Sequence, residues 1–151
     1  MLIEQRFCVN APIQKVWDFI LDPEKIGPCI PGCENVEVLR DNVYESSVKV
    51  KVGLISLTMK SKTTITETDP PRHLRSVTEG QDALKAGTFH QESVVDLAEI
   101  SPNEVEVSYS ANTRVVGKLA TFGEKIMRAT AKKLGEQFAK NIQARLEEPT
   151  G

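Results

Sequence analysis

The chain has no large excess of charge of either sign. Its 151 residues include 19 Lys and Arg and 21 Asp and Glu, so the formal net charge is −2. Affinity for a phosphate backbone rests on clustered basic residues, and an aromatic content of 5% leaves few rings on which bases could stack. These shortages argue against a nucleic-acid-binding protein. The 40% hydrophobic and 26% charged residues are typical of a globular domain.

Long apolar runs are also missing. A transmembrane helix needs about 20 consecutive apolar residues, and no run in the sequence approaches that length. The chain begins without the basic region and apolar core of a secretory signal. Its three cysteines, an odd number, suit a reducing compartment. We therefore expect a cytoplasmic protein, and the length predicts a single domain over residues 1–148.

Patterns for catalysis or metal binding are scarce. The only histidines, His73 and His90, belong to no metal or triad pattern, and strand alternation places His90 on an outer face. Cys29 and Cys33 form one pair, whereas a structural zinc usually takes four ligands. A redox pair stays open because Pro31 and Gly32 allow a close turn, but we favour small buried side chains. Glycine-rich phosphate loops and nucleophile motifs do not occur.

Alternation of apolar and polar residues is the dominant signal that is present. Residues 2–9 alternate and predict a strand; helical spacing after Pro12 predicts one short helix and then a second that ends near Ile26. A loop rich in proline and glycine follows over residues 27–32. Further strands are predicted over 36–40, 43–52, 55–65, 73–79, 89–97 and 105–113, with a loop at 80–87. This order predicts an antiparallel meander of about seven strands.

The last segment changes period. Residues 118–146 contain no proline, and apolar residues recur there every three or four positions. This face comprises Leu119, Phe122, Ile126, Thr130, Leu134, Phe138 and Ile142. Such a helix would be about 40 Å long. The sequence therefore predicts an α+β fold in which a curved antiparallel sheet of about seven strands wraps a long C-terminal helix, with a cavity between them.

Charge is distributed unevenly along the chain. Residues 1–117 hold 12 basic and 17 acidic residues, whereas residues 118–148 hold 7 basic and 4 acidic residues. The helix lysines recur at seven-residue steps, and a second basic patch is predicted on a hairpin that carries Lys49, Lys51, Lys60 and Lys62. The ordinary interpretation is a solvated face. The functional alternative is contact with an anionic membrane or an acidic partner.

Several short motifs carry a resemblance to a known family. The start of the chain resembles START-like, Bet v 1-like lipid-binding domains through Phe7-x-Val9-x-Ala11-Pro12-x-x-x-Val16-Trp17 and Leu21-Asp22-Pro23. Further motifs are similar to those of the carbon monoxide dehydrogenase G-subunit family, namely Cys29-x-Pro31-Gly32-Cys33-Glu34, Val50-Lys51-Val52-Gly53, Asp69-Pro70-Pro71 and Gly117-x-Leu119-Ala120-x-x-Gly123. The resemblance covers about residues 2–146 and implies a helix-grip fold.

The resemblance also implies a function. Members of that family are non-catalytic companions of molybdenum hydroxylases of the xanthine oxidase type, tie them to the membrane, and are associated with quinone binding. We therefore expect no catalytic residue, no metal and no cofactor apart from a bound quinone or other apolar ligand, with a molybdenum hydroxylase such as carbon monoxide dehydrogenase as partner. Some members carry a hydrophobic C-terminal extension that this sequence lacks. We thus expect peripheral membrane contact, through helix lysines or an apolar loop residue such as Ile30.

The resemblance supplies no residue-level binding motif, so strand alternation and helical phase select the expected lining of the cavity. The sheet contributes Val50, Val52, Leu57, Met59, Phe89 and Tyr109. The helix contributes Leu119, Phe122, Ile126 and Thr130. One end is closed by Trp17, Ile26, Cys29 and Ile30.

Two other functions stay open at this point. An enzyme of the polyketide-cyclase type would need ionisable groups inside the cavity, and the inward candidates are Tyr109, Gln91 and Glu79. A protein-only assembly factor for a molybdenum hydroxylase would need no ligand at all.

Overall fold

Seven strands and three α-helices make up the part of the chain that the computed structural model describes, residues 1–84 and 87–147. The first half contains β1 (Leu2–Val9), α1 (Ile13–Ile20), α2 (Pro23–Ile26), β2 (Cys33–Arg40) and β3 (Val43–Val52). The second half contains β4 (Ile55–Asp69), β5 (His73–Asp82), β6 (Gly87–Ser101), β7 (Glu104–Gly117) and α3 (Glu124–Leu146). Short 3₁₀ turns cover Gly27–Cys29 and Lys118–Phe122.

The strands form one antiparallel sheet in the order β1-β7-β6-β5-β4-β3-β2. This is the predicted meander, with β1 as the edge strand next to β7. Pairing extends several strands beyond their predicted ends: β5 continues to Asp82, and β7 reaches Gly117 opposite Gly87. Register shifts in β4 and β6 are bulges that increase twist and bend the sheet. The result is the helix-grip architecture, as expected.

The long helix is shorter than predicted. The segment 118–146 is not one helix, because Gly123 adopts a φ of 84° and separates a 3₁₀ turn from α3. A β-carbon at Gly123 would meet no neighbouring atom within 4 Å, so its backbone conformation, not close packing, requires glycine there. The 23 residues of α3 span about 35 Å.

The helix runs along β1 in the same direction as the strand. The Arg128 guanidinium donates to the Leu2 carbonyl at 2.9 Å, and the Gln143 amide donates to the Cys8 carbonyl at 2.8 Å. Between them, Gly135 lies so close to β1 that an added β-carbon would meet Gln5 Oε1 at 2.7 Å. A strand rises about 3.4 Å per residue and a helix about 1.5 Å, so the helix from Arg128 to Gln143 covers about the same length as the strand from Leu2 to Cys8.

The faces of the sheet follow the alternation in the sequence. We call the face toward α3 the inner face and the opposite one the outer face. His90 lies on the outer face, as predicted, near Glu79 and Glu92. Residue 148 and part of the predicted 80–87 loop lie outside the described residues. Within the described ranges, no helix combines the length and apolarity needed to cross a bilayer.

Candidate functional site

Two apolar clusters occupy opposite ends of the inner face. The first, which we call the α1 cluster, lies under α1 and the last turns of α3 and is centred on Val9, Val16, Trp17, Val105 and Ile142. Its three valines are fully buried. The second, which we call the hairpin cluster, consists of Val52, Leu57, Met59 and Leu119, with Val50, Phe89, Val115, Phe122 and Met127 packed around them.

A band of polar side chains crosses the inner face between the two clusters. The Gln91 amide donates to Ser93 Oγ at 3.1 Å and to Tyr109 Oη at 3.3 Å, and Thr113 Oγ1 donates to Gln91 Oε1 at 3.0 Å. The band continues on the neighbouring strands, where the Thr63 and Thr78 hydroxyls lie 2.8 Å apart. Every buried side-chain polar atom among the described residues has a partner. The band is therefore a satisfied network that a ligand could join by exchanging partners.

Tyr109 is the ionisable group of this band. Burial raises the pKa of its phenol above the ordinary value, while hydrogen bonds with Ser93 and Gln91 act in the opposite direction. The phenol is therefore protonated at neutral pH and can donate a hydrogen bond. It is not a base under those conditions.

A small cavity adjoins the band on the side of α1 and α2. Its volume is about 170 Å³, and its walls come from both short helices and from β2 to β5. The lining is mainly apolar, with the polar exceptions Tyr44, Ser46, Thr63 and Ser76. Ligand pockets usually hold about 300–1,000 Å³, so this cavity accommodates only part of a large ligand. A wider depression on the outer face is open and has a mixed lining, in which Lys60, Lys62, Glu79, His90 and Arg114 stand beside Phe89 and Val116.

The structure divides the predicted lining residues among these regions. Half of them meet in the hairpin cluster: Val50, Val52, Leu57, Met59, Phe89, Leu119 and Phe122. Trp17 and Cys29 are buried in the α1 cluster, and Ile26 packs against it. Ile26 and Ile30 line the small cavity. Tyr109 belongs to the polar band, and Thr130 is half-buried on α3.

Two predicted placements are wrong. Ile126 is 44% exposed, and Met127 packs against the hairpin cluster instead, because the predicted four-residue steps drift around a helix of 3.6 residues per turn. Glu79, an inward candidate for an enzyme, lies on the outer face, where its carboxylate is 3.4 Å from His90 Nδ1. Its neighbours along β5, Thr78 and Gly80, are the inward positions.

From the sequence, Gln91 was named only as an inward candidate for an enzyme, and Ser93 and Thr113 were not named as site residues. The available signal was that several inward positions of the neighbouring strands β6 and β7 are polar, which a fully apolar cavity would not show. Thr63 and Thr78 were also missed. Their burial makes sense only with their hydrogen-bond partners, which lie on other strands.

The cysteines and His73 do not form a reactive centre. Burial raises the thiol pKa values of Cys29 and Cys33, both of which are free. His73 has two carboxylate partners, Asp96 at 2.6 Å and Glu67 at 2.8 Å, but all three lie on the outer face away from the cavity. Among the described residues, no group of three or more His, Cys, Asp or Glu could hold a metal ion.

Comparisons with known proteins agree with this architecture. Residues 6–147 match the family of the carbon monoxide dehydrogenase G subunit, CoxG. Among curated proteins, no sequence is significantly similar to the chain. Similar solved structures include a conserved protein from Geobacillus kaustophilus, with 23% identity, a TM-score of 0.89, and coverage of 97% of this chain and 95% of that chain.

Two further structures share the fold at lower identity. A START superfamily protein from Mycobacterium smegmatis is 14% identical, with a TM-score of 0.75 and coverage of 97% of both chains. The Zhui aromatase/cyclase from a Streptomyces species is 16% identical, with a TM-score of 0.73 and coverage of 97% of this chain and 93% of that chain. At these identities the similarity establishes the fold alone.

Proposed function

Because the chain belongs to the CoxG family of carbon monoxide dehydrogenase, we propose that it is a non-catalytic accessory protein that binds an apolar ligand with a small polar head. The ligand is a quinone held against the inner face of the sheet. The protein couples a molybdenum hydroxylase, such as carbon monoxide dehydrogenase, to the membrane that contains this quinone. It acts at the inner surface of that membrane as a peripheral protein.

The observation that carries this proposal is the polar band between two apolar clusters. A quinone combines carbonyl oxygens with an apolar tail, so it needs hydrogen-bond donors next to apolar surface. The Tyr109 phenol and the Gln91 amide are donors at the centre of the inner face. The hairpin cluster supplies an apolar surface that includes Phe89 and Phe122 for the tail.

The ligand needs more space than the resting structure provides. All the fully buried residues of α3 lie in its last turns, at Ala139, Ile142 and Leu146. The first half of the helix is held by fewer buried contacts, so it is the part that can move away from the sheet at lower cost. Binding therefore widens the space beside the hairpin cluster and leaves the α1 cluster intact.

Calorimetric titration with a short-tailed quinone tests the ligand. We expect saturable binding to the wild type and about tenfold weaker binding to Phe89→Ala, which loses apolar contact area. Ile126→Ala is the matched control, because this exposed residue lies outside the cluster. Absence of quinone binding, or equal losses in both variants, contradicts the proposed site.

Association with a molybdenum hydroxylase is tested separately by pull-down of the purified enzyme, with and without bound quinone. Binding that depends on the ligand supports a coupling role. Binding that is the same for wild type and for a variant that no longer takes up quinone favours a protein-only assembly factor.

A cyclase-type enzyme is the second candidate, and Tyr109 is the observation that favours it. The phenol is buried, protonated and next to Gln91, so it can act as a proton donor. Turnover of a poly-β-keto substrate that Tyr109→Phe abolishes would support this function. The quinone proposal predicts instead that the wild type turns over no such substrate and that Tyr109→Phe binds quinone more weakly, because the phenol is one of its donors.

A further inference from the structure

The meander brings alternate turns to the same end of the sheet. The turns β3–β4 and β5–β6 lie at one end together with the last residues of β7, whereas β2–β3, β4–β5 and β6–β7 turn at the other. We call the first the hairpin end and the second the α1 end. The hairpin end lies next to the hairpin cluster, which includes Val52 and Leu57 from the flanks of its first turn.

Leu54 projects into solvent at the tip of the first turn. The pair Val52 and Ile55 closes a two-residue loop in which Gly53 has a φ of 61°, as such a tight hairpin requires. This turn does not require an aliphatic side chain at its second loop residue, where polar residues are usual. Leu54 is nevertheless 97% exposed. Its side chain therefore has no role in forming the hairpin.

Leu84 occupies the equivalent position after β5. It is 89% exposed. Its backbone N–H donates to the Asp82 carboxylate at 3.1 Å, and the Ala83 N–H donates to the Thr58 carbonyl at 2.8 Å. These bonds fix the start of the loop against β4. Two neighbouring hairpins thus each present one leucine to solvent at the same end of the sheet.

Lysines are frequent on the segments that reach this end of the sheet. Residues 46–66, which contain the first hairpin, hold four lysines and no acidic residue. Exposed lysines of this hairpin, Lys49 and Lys51, are joined by Lys118 and Lys125 from the segment that follows β7. These four lysines lie on segments that reach this end of the sheet, so basic residues outnumber acids on those segments.

Exposed acids near this end are matched by basic partners. Glu34 lies 3.5 Å from Lys49, and Glu124 lies 3.0 Å from Arg128. The α1 end differs, because acids outnumber bases at its turns. Those turns carry Asp41, Asp69, Glu99 and Glu104 beside two arginines, Arg40 and Arg72.

We propose that the hairpin end docks on an anionic lipid bilayer, with Leu54 and Leu84 inserted between the headgroups and the surrounding lysines at the level of the lipid phosphates. The inference rests on the proposed peripheral membrane contact and assigns that contact to a specific surface. Leu54 and Leu84 stand on separate loops, and a bilayer accepts such side chains individually. The lysines complement the charge of anionic lipid.

Docking at this end places the hairpin cluster next to the bilayer. A ligand that enters beside Phe89 and Phe122 therefore passes between membrane and protein without crossing water. Of the helix lysines expected to touch the membrane, Lys118 and Lys125 belong to this surface, whereas Lys132, Lys133 and Lys140 do not. Ile30 does not belong to it either.

Co-sedimentation with vesicles of phosphatidylcholine, with and without phosphatidylglycerol, tests the docking surface. We expect binding that requires the anionic lipid. The double variant Leu54→Ser/Leu84→Ser should lower the partition coefficient about tenfold or more. Lys51→Gln/Lys118→Gln should lower it about tenfold at low salt and far less at high salt, because screening already weakens the electrostatic attraction.

Matched controls distinguish this surface from others. Ile100→Ser removes an aliphatic side chain that is 57% exposed at the α1 end and should bind vesicles like the wild type. Lys132→Gln/Lys133→Gln removes two exposed lysines of α3 and should also have little effect. The proposal is overturned if the wild type ignores anionic vesicles, if the leucine variant binds them normally, or if the helix variant loses as much affinity.

Quinone titration in detergent separates this proposal from the proposed function. The leucine variant should bind the quinone like the wild type, since neither leucine belongs to the hairpin cluster. Vesicle binding that depends on the leucines, in a protein that takes up no quinone, would leave the docking surface standing while the ligand proposal fails.

Discussion

The two ends of the sheet differ in packing and in charge. At the α1 end, Val9, Val16 and Val105 are completely buried under α1 and the last turns of α3. At the hairpin end, the cluster is smaller, its aromatic members Phe89 and Phe122 are only half-buried, and two leucines project into solvent. The α1 end therefore contributes most to the free energy of unfolding. The hairpin end keeps apolar surface available for a ligand or a bilayer.

The largest expected effect tests this difference in packing. Trp17→Ala should lower the free energy of unfolding by about 3–5 kcal/mol, because it removes a large buried side chain from the α1 cluster. Phe122→Ala at the hairpin end should cost about half as much or less, since its ring is already partly exposed. Urea unfolding measures both. Equal losses would mean that the two ends are packed equally well.

The polar band between the ends should contribute less to the free energy of unfolding than the α1 cluster. Gln91→Ala removes the partner of both Tyr109 and Thr113, and it should lower the free energy of unfolding by about 1–3 kcal/mol. Gln137→Ala is the control, because this exposed glutamine bonds only to Asn141 one helical turn away. Its effect should stay within about 0.5 kcal/mol. A neutral Gln91→Ala would show that the band is not a structural network.

Two glycines of the last segment should respond with opposite signs. Gly123→Ala should cost about 1–2 kcal/mol, because alanine resists a φ of 84°. Gly135→Ala should raise the free energy of unfolding by up to about 1 kcal/mol through helix propensity. The contact that its β-carbon makes is with the mobile end of the Gln5 side chain, which can move aside. Thermal unfolding of both variants checks the signs, and destabilisation by Gly135→Ala would mean that α3 cannot yield next to β1.

The smallest effect is a pH dependence at the α1 end of the outer face. The pKa of His73 is raised mainly by its hydrogen bond with Asp96 and next by that with Glu67. The pKa of Glu67 is lowered, mainly by its hydrogen bond with His73. The histidine contribution is complete below the ordinary pKa of about 6.5 and disappears as pH rises through the raised value. The Glu67 contribution is present above its ordinary pKa of about 4.3 and disappears as pH falls through the lowered value.

His73→Gln should therefore lower the melting temperature slightly near pH 6 and not at pH 9. Thermal scans at the two pH values measure this difference. The same change in His90, whose carboxylate neighbours are 3.4 and 3.7 Å away, provides the comparison. An equal loss at both pH values would show that His73 acts through packing and not through its charge.

Strand order, strand faces and the family could be predicted from the sequence because they depend on local signals. Alternation in residues such as Val48, Val50 and Val52 fixes which side chains share a face, and Asp69-Pro70-Pro71 and Ser101-Pro102-Asn103 mark turns. The same alternation correctly brought most of the predicted sheet residues of the lining into one cluster. Whether these residues bind a quinone stays a prediction.

Helical phase was less reliable than alternation. The prediction for Ile126 was wrong because repeated four-residue steps drift around a helix of 3.6 residues per turn. Phe138 and Ile142, from the same predicted face, do lie in the α1 cluster or against it. Glu79 was misplaced by a single step along β5, which is enough to move a side chain to the other face.

The sequence by itself determined the fold, because hydrophobic periodicity and turn residues act on neighbours along the chain. Only the tertiary structure decided where the polar and charged groups meet. Gln91, Tyr109 and Thr113 become a network, and Leu54, Leu84 and their lysines become one end of the molecule, only when strands distant in sequence are paired. Such groupings depend on register and curvature, which arise from the packing of the whole sheet around α3.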